Sequence, residues 1–195
     1  MNFLCNAEYA DQTLQEVVCE NEPLTKRVFT NCTFLKCRFT SVHFSGSEFS
    51  ECVFDHCEFS LPNFTNARLK AVTFKESKLI GADFTKCDAQ FFALGFENCL
   101  VDMCNFSGLK LKSTHFLRSM IRETRFIGSQ LQEARFDGSD LEQSIFHQCN
   151  LEKASFLNAK NYMIDPMTNV LKGATFSLPE AMSLLSGLGI KLENH

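Results

Sequence analysis

An all-β solenoid with four sides is the fold class this sequence predicts, and three observations predict it. Large apolar residues recur at every fifth position, small residues stand two places before them, and residues twenty apart match in type. The stretch TNCTFLKCRFTSVHFSGSEF, Thr30 to Phe49, shows the first, with Phe34, Phe39, Phe44 and Phe49 evenly spaced. Helices repeat near 3.6 and strands at 2, so neither gives a period of five. A chain that makes a short strand and turns a corner every five residues winds into a coil whose backbone pairs with the coil above.

Residues 1–23 fit the period poorly, and through Glu22 and Pro23 they are expected to cap the N-terminal end, because an open sheet edge invites aggregation. From there the centres run Leu24, Phe29, Phe34, Phe39, Phe44, Phe49, Phe54, Phe59, Phe64, Leu69, Phe74, Leu79 and Phe84. A second block runs Phe96, Val101, Phe106, Leu111, Phe116, Ile121, Phe126, Leu131, Phe136, Leu141, Phe146, Leu151 and Phe156. Seventeen of the 21 Phe sit at centres, far beyond chance. The slots two places earlier hold small residues such as Cys32, Cys37, Val42, Ser47, Ala67, Thr114 and Ser139. Small-in, polar-out, large-in is a three-residue strand, and Ser45-Gly46 or Asp137-Gly138 after it carry turn chemistry.

The number of sides follows from the second block, where Phe and aliphatic centres alternate. Four sides put Phe96, Phe116, Phe136 and Phe156 in one file and Val101, Ile121 and Leu141 in another, whereas three sides would mix the types. Homogeneous files also let a narrow interior close without overpacking. About seven coils over residues 24–161, at roughly 4.8 Å each, predict a stack near 34 Å tall.

Between the blocks the register slips by two, since Phe84 to Phe96 is twelve residues. The slip lies near 86–95, in KCDAQFFALG, and reads as a bulge that leaves Phe91 and Phe92 tucked in or exposed. Beyond Ala159 the register fails, and residues 162–195 are expected to form a loop stopped by Asp165-Pro166, a final partial coil at Lys172 to Phe176, and a helix. That helix, about Pro179 to Ser186, has Ser177 and Glu180 spaced as a capping box and Gly187 as a stop signal. Met182, Leu184, Leu185, Leu188 and Ile190 supply its apolar surface, which is expected to cover the last coil and meet a second copy.

Composition bounds the function. With 45% hydrophobic and 22% charged residues the chain is globular. Its start carries acids early and has no basic region leading into an apolar run, and no window approaches a membrane span, so a cytoplasmic location is expected, with ten thiols reduced. Cys32, Cys37, Cys52 and Cys57 have spacing superficially like a zinc site, yet all fill the small inward slot, where a buried thiol acts as a small hydrophobe. His43, His56, His115 and His147 occupy outward positions, and the chain has no glycine-rich phosphate loop and no paired-carboxylate signature. No cofactor, metal or catalytic residue is expected, and the chain reads as a non-enzyme.

These features resemble the pentapeptide-repeat family, whose pattern is a small residue, Asp or Asn, Leu or Phe, and two free positions. Cys32-Thr33-Phe34, Ala82-Asp83-Phe84, Ser139-Asp140-Leu141 and Cys149-Asn150-Leu151 carry the resemblance, which covers about residues 24 to 160. It implies a right-handed quadrilateral β-helix. Topoisomerase-protecting members are acidic rods that occupy the DNA-binding saddle of DNA gyrase and dimerise head to head through a C-terminal helix. The resemblance therefore implies a bacterial homodimer acting by DNA mimicry on DNA gyrase or topoisomerase IV, in an antibiotic-resistance role, without binding nucleic acid or membrane itself. The long inserted loops of the quinolone-resistance members are missing here.

The surface is where such a function resides. Residues 1–60 hold nine acids and four bases (net −5), residues 61–125 six and ten (net +4), and residues 126–195 eight and five (net −3). Asp102, Glu123, Asp140 and Glu142, with Arg122, are expected on one face as the acidic candidates. Leu100, Met103 and Met120, with Phe91 and Phe92 nearby, form an apolar candidate that suits a general interaction scaffold with an unknown partner.

Overall fold

A computed structural model describes residues 6–90 and 92–190 of the chain. Each five-residue unit folds as an extended triplet and a corner. In Thr33-Phe34-Leu35 the middle residue points inward and is fully buried while its neighbours face outward, the alternation every strand imposes. At the corners, residues such as Asp11, Asn31, Asn66 and Met103 take φ between 45° and 60°. That left-handed geometry costs about 1–2 kcal/mol for a residue with a Cβ. The coils above and below offset the cost by satisfying the corner backbone, as where the Glu51 N–H donates to the Lys70 carbonyl at 2.8 Å.

Coils pair in parallel, twenty residues apart, into a right-handed four-sided solenoid of about eight turns. The sides are numbered here in chain order. Side 1 carries Tyr9, Phe29, Phe49 and Leu69 inward, and side 2 carries Leu14, Phe34, Phe54, Phe74, Phe96 and Phe116. Side 3 carries Cys19, Phe39, Phe59, Leu79, Val101 and Ile121. Side 4 carries Leu24, Phe44, Phe64, Phe84, Phe106, Phe126 and Phe146.

Rings within a file stack nearly parallel. From Phe34 to Phe176 on side 2, successive centroids lie 4.5 to 5.2 Å apart, the spacing of the coils themselves. Between files the rings meet edge to face, Phe116 and Phe126 at 5.6 Å and 89°. Both are favourable ring geometries, worth about 0.5–1.5 kcal/mol per pair beyond the area buried. In the second block the files keep to one type as the twenty-residue rule requires, Phe96, Phe116, Phe136 and Phe156 on side 2 and Val101 and Ile121 on side 3, whereas side 3 below them passes from Phe39 and Phe59 to Leu79.

The small slots do more than leave room. Ser139 Oγ donates to the Phe116 carbonyl at 2.6 Å and accepts from the Ser119 N–H at 2.9 Å. Cys57 Sγ reaches the Phe34 carbonyl at 3.2 Å in the same way. These buried carbonyls face the small slot of the next coil, and a hydroxyl or thiol there satisfies them.

The ends depart from the sequence reading in three ways. Residues 1–23 were expected to be a cap, but Glu8–Ala10, Thr13–Gln15 and Val18–Glu20 are strands paired with the next coil, so the solenoid includes them. Tyr9, Leu14 and Cys19 replace Phe at the centres, which hid the register; Tyr9 stacks on Phe29 at 5.1 Å. The expected loop at Asn161–Val170 is instead part of a further coil, in which Met163–Ile164 pairs with Ile145–Phe146. There Tyr162 and Ile164 point inward, and Asn169 fills the small slot, accepting from the Cys149 N–H at 2.9 Å and donating to the Phe146 carbonyl at 3.1 Å. Register shifts on either side of Ile164 disguised the repeat.

The third departure is the helix. It begins as a 3-10 turn, Glu180–Met182, and becomes α-helical only over Ser183–Ser186. The capping box does not form: Pro179 stands at the start of the turn with no side-chain cap bond, and Ser177 Oγ accepts from the Asn158 N–H at 2.9 Å instead. Gly187 remains right-handed; Gly189, at φ +70°, ends the helix, with the Ile190 N–H reaching back to the Leu185 carbonyl and the Gly189 N–H to that of Ser186. Gly187 serves close approach instead, since a Cβ there would lie 3.0 Å from Asp165 Oδ1 and Pro166 Cδ.

Candidate protein-binding face

A filled interior leaves function to the surface, where each unit exposes a residue before its centre, one after it, and the corner. On side 3 the row before the centre reads Val18, Arg38, Glu58, Lys78, Leu100, Met120 and Asp140. Asp102 and Arg122 follow their centres in the next row, with Glu142 in the coil above, and Met103 and Glu123 stand at the corners. The acidic and apolar candidates thus share one side over three coils, interleaved.

The charges are partly committed. Arg122 extends upward to Glu142 at 3.4 Å and Asp140 at 3.9 Å, and Asp140 also accepts from Asn161 Nδ2 at 2.8 Å. Lower on the side Glu58 lies 3.6 Å from Arg38 and 3.0 Å from Lys78, and the Lys78 ammonium holds its carboxyl below the usual range. Among the described residues no cationic group pairs with Asp102 or Glu123. Pairs on such exposed faces contribute about 0–1 kcal/mol each, so they shape the potential more than the fold.

Met103 is 54% exposed and Met120 42%, while Leu100 is half-buried. Leu61, 62% exposed, and the half-buried Ile80 extend this apolar surface and were missed from sequence. Counting 22 rather than 20 across the slip would have aligned Leu61, Gly81 and Met103 in one corner file. Leu61 leans over Gly81, where a Cβ would come within 2.6 Å of its Cδ2.

Phe92 does not join this patch. The register break lies on side 1, opposite, where the Ala93 N–H bonds the Leu69 carbonyl and the strands of that side stop at Arg68–Lys70. Phe92 turns inward there, its ring 6.2 Å from Phe84. Phe91 lies outside the described residues.

At the C-terminal end Leu184 packs against the core and Leu185 is half-buried, whereas Met182, Leu188 and Ile190 are 45–48% exposed. Met163, 80% exposed, lines a shallow cleft with Asp165, Ser183 and Ser186 beside them.

The nine described cysteines are buried free thiols. Burial pushes Cys19, Cys52 and Cys99 up to about 11, and Cys87 and Cys104 up to about 12, which removes the thiolate that reactivity and metal binding need. Among the described residues no group of three or more His, Cys, Asp or Glu is arranged to hold a metal ion, and no helix is long and apolar enough to cross a membrane.

Residues 27–94 match a family model described as pentapeptide repeat region, and residues 102–138 and 129–160 match one described as pentapeptide repeats (8 copies). No curated protein matches the chain. Among solved structures it is similar to a trypsin-treated form of QnrB1, a plasmid-mediated fluoroquinolone resistance protein, with TM-score 0.58 and 18% identity over 96% of this chain and 99% of that one. A second trypsin-treated QnrB1 structure gives 0.51 and 21% over 93% and 100%. HetL, a pentapeptide repeat protein involved in heterocyst differentiation regulation from the cyanobacterium Nostoc sp. strain PCC 7120, gives 0.53 and 15% over 87% and 89%. At these identities the likeness is one of fold.

Proposed function

The chain belongs to the pentapeptide-repeat family, and on that premise we propose that it is a non-catalytic rod that binds another protein through side 3, with a type II topoisomerase, DNA gyrase or topoisomerase IV, as the candidate partner. The observation that carries this reading is the gathering of Asp102, Glu123, Asp140 and Glu142 on one side within three coils of a rigid solenoid. Carboxylates fixed on a rod satisfy a basic groove built for phosphates, so the rod competes with DNA for that groove and no residue performs chemistry. Lys78 and Arg38 confine the acidic stretch to the upper coils. A supercoiling assay with and without a DNA-poisoning drug tests it: inhibition of supercoiling, or relief of the drug, is expected at micromolar protein. Neither effect removes the topoisomerase.

Two further parts belong to the reading. The exposed Met182, Leu188 and Ile190 join two copies at their C-terminal ends, which doubles the charge near the centre; Leu188→Asp is expected to convert a dimer to a monomer in light scattering. The setting is cytoplasmic, where buried thiols stay reduced. The exposure of Met103 and Met120 favours a second reading, a scaffold whose partner is held by apolar contact. Binding that survives high salt and is lost in Met103→Asp supports it.

A further inference from the structure

We infer that side 3 receives an amphipathic helix of a partner protein, which lays apolar side chains on Leu61, Leu100, Met103 and Met120 and sets one lysine or arginine against Asp102. The inference rests on the reading that side 3 binds a protein, and it names the chemistry of what binds.

The ion-pair ladder of this side breaks at one place. Lys78, one coil below in the neighbouring row, points down to Glu58 at 3.0 Å. Arg122, directly above Asp102, points up to Glu142 at 3.4 Å. Both neighbouring cations are drawn away, and among the described residues none pairs with the Asp102 carboxylate. Ile80 lies directly below it, with Leu100 and Met103 on either side in its own coil and Met120 above Leu100. A carboxylate set among apolar side chains has lost part of its hydration and gains most from a cation that arrives with apolar flanks of its own.

Spacing selects a helix. Residues three or four apart on a helix rise about 4.5–6 Å, close to the roughly 4.8 Å between coils, so a helix along the solenoid axis meets one apolar row per turn. Leu61 lies over Gly81 and carries the apolar corner file towards Met103, so the helix meets a continuous apolar edge there. Glu123, the next corner above Met103, adds a second carboxylate with no paired cation among the described residues, while Arg125 borders the same hollow beside it, so the attraction for a basic group centres on Asp102.

The test selects a phage-displayed random peptide library on the full protein, counter-selected on Met103→Asp, with unchanged melting of the variant as the folding control. Peptides with a Lys or Arg flanked by apolar residues at helical spacing are expected. Their affinity should fall about tenfold in Asp102→Asn, and Asp102→Lys should reverse the preference towards peptides carrying Glu in place of the base. Uncharged or acidic sequences, affinity indifferent to Asp102, no peptide lost on counter-selection, or Met103-dependent binding to phosphatidylserine vesicles instead, would each overturn the inference. Asp102-dependent peptides from a protein without effect on gyrase would remove the topoisomerase and leave this inference standing. Gyrase inhibition unchanged in Asp102→Lys, with no basic peptides selected, would do the reverse.

Discussion

Single residues divide sharply by position. Phe126 is fully buried, stacked 5.4 Å from Phe106 and 4.8 Å from Phe146, whereas Gln130, four residues on, faces water. Phe126→Ala is expected to cost about 3–5 kcal/mol in denaturant unfolding and Gln130→Ala almost nothing; equal losses would mean inside and outside are exchanged. Five of the buried thiols, Cys19, Cys52, Cys87, Cys99 and Cys104, make a pH prediction. Their folded values of about 11 to 12 lie above the ordinary 9.0, so at alkaline pH the unfolded chain ionises first and binds fewer protons. Their contribution is complete below about pH 9 and is lost as pH rises through the folded values. Denaturation midpoints should be flat from pH 7 to 8.5 and fall above pH 9, and a thiol reagent should label these cysteines only on unfolding.

At the scale of the element, a strand and its corner oppose one another. The strand alternation places residues well, but each corner holds the chain at positive φ at a cost the ladder must offset. Ala71, exposed at φ 52°, gains nothing from its methyl group there. Ala71→Gly is expected to raise stability by about 0.5–1 kcal/mol, and Ala71→Val, β-branched, to lower it, as thermal melts would register. The terminal helix is too short to be stable alone and depends on docking. Leu184, packed on the core, and Leu188, facing out, separate its two duties. Leu184→Asp should lower the melting temperature, while Leu188→Asp should change only the association state.

The whole molecule behaves as a stack in which each coil touches its neighbours. Stability is then a sum of coil and interface terms, and the side 1 strands stop at the register break, between Leu69 and Leu111. Native-state hydrogen exchange should find the Ala93 N–H less protected than that of Phe116, deep in side 2; the opposite order would show the break to be as firm as the ladder. The rod presents side 3 as one continuous surface, because the two-residue slip is absorbed on side 1 and the side 3 register passes through it unbroken, Leu79 to Val101.

The sequence by itself determined the interior: a period of five places the inward positions, and parallel coils in register stack each of them on the position one coil away, so the files follow from chain position alone. Tertiary structure decided what the period does not encode. The first coil hid behind Tyr9, Leu14 and Cys19 in place of Phe, and the last behind Tyr162 and Asn169, because the slots they fill accept any side chain of suitable volume and hydrogen bonding. Which cation Asp102 lacks, and that Phe92 lies across the rod from Met103, depend on how outward side chains pair between coils and on which side takes the slip. Those are choices among near-equal surface energies that no repeat pattern records.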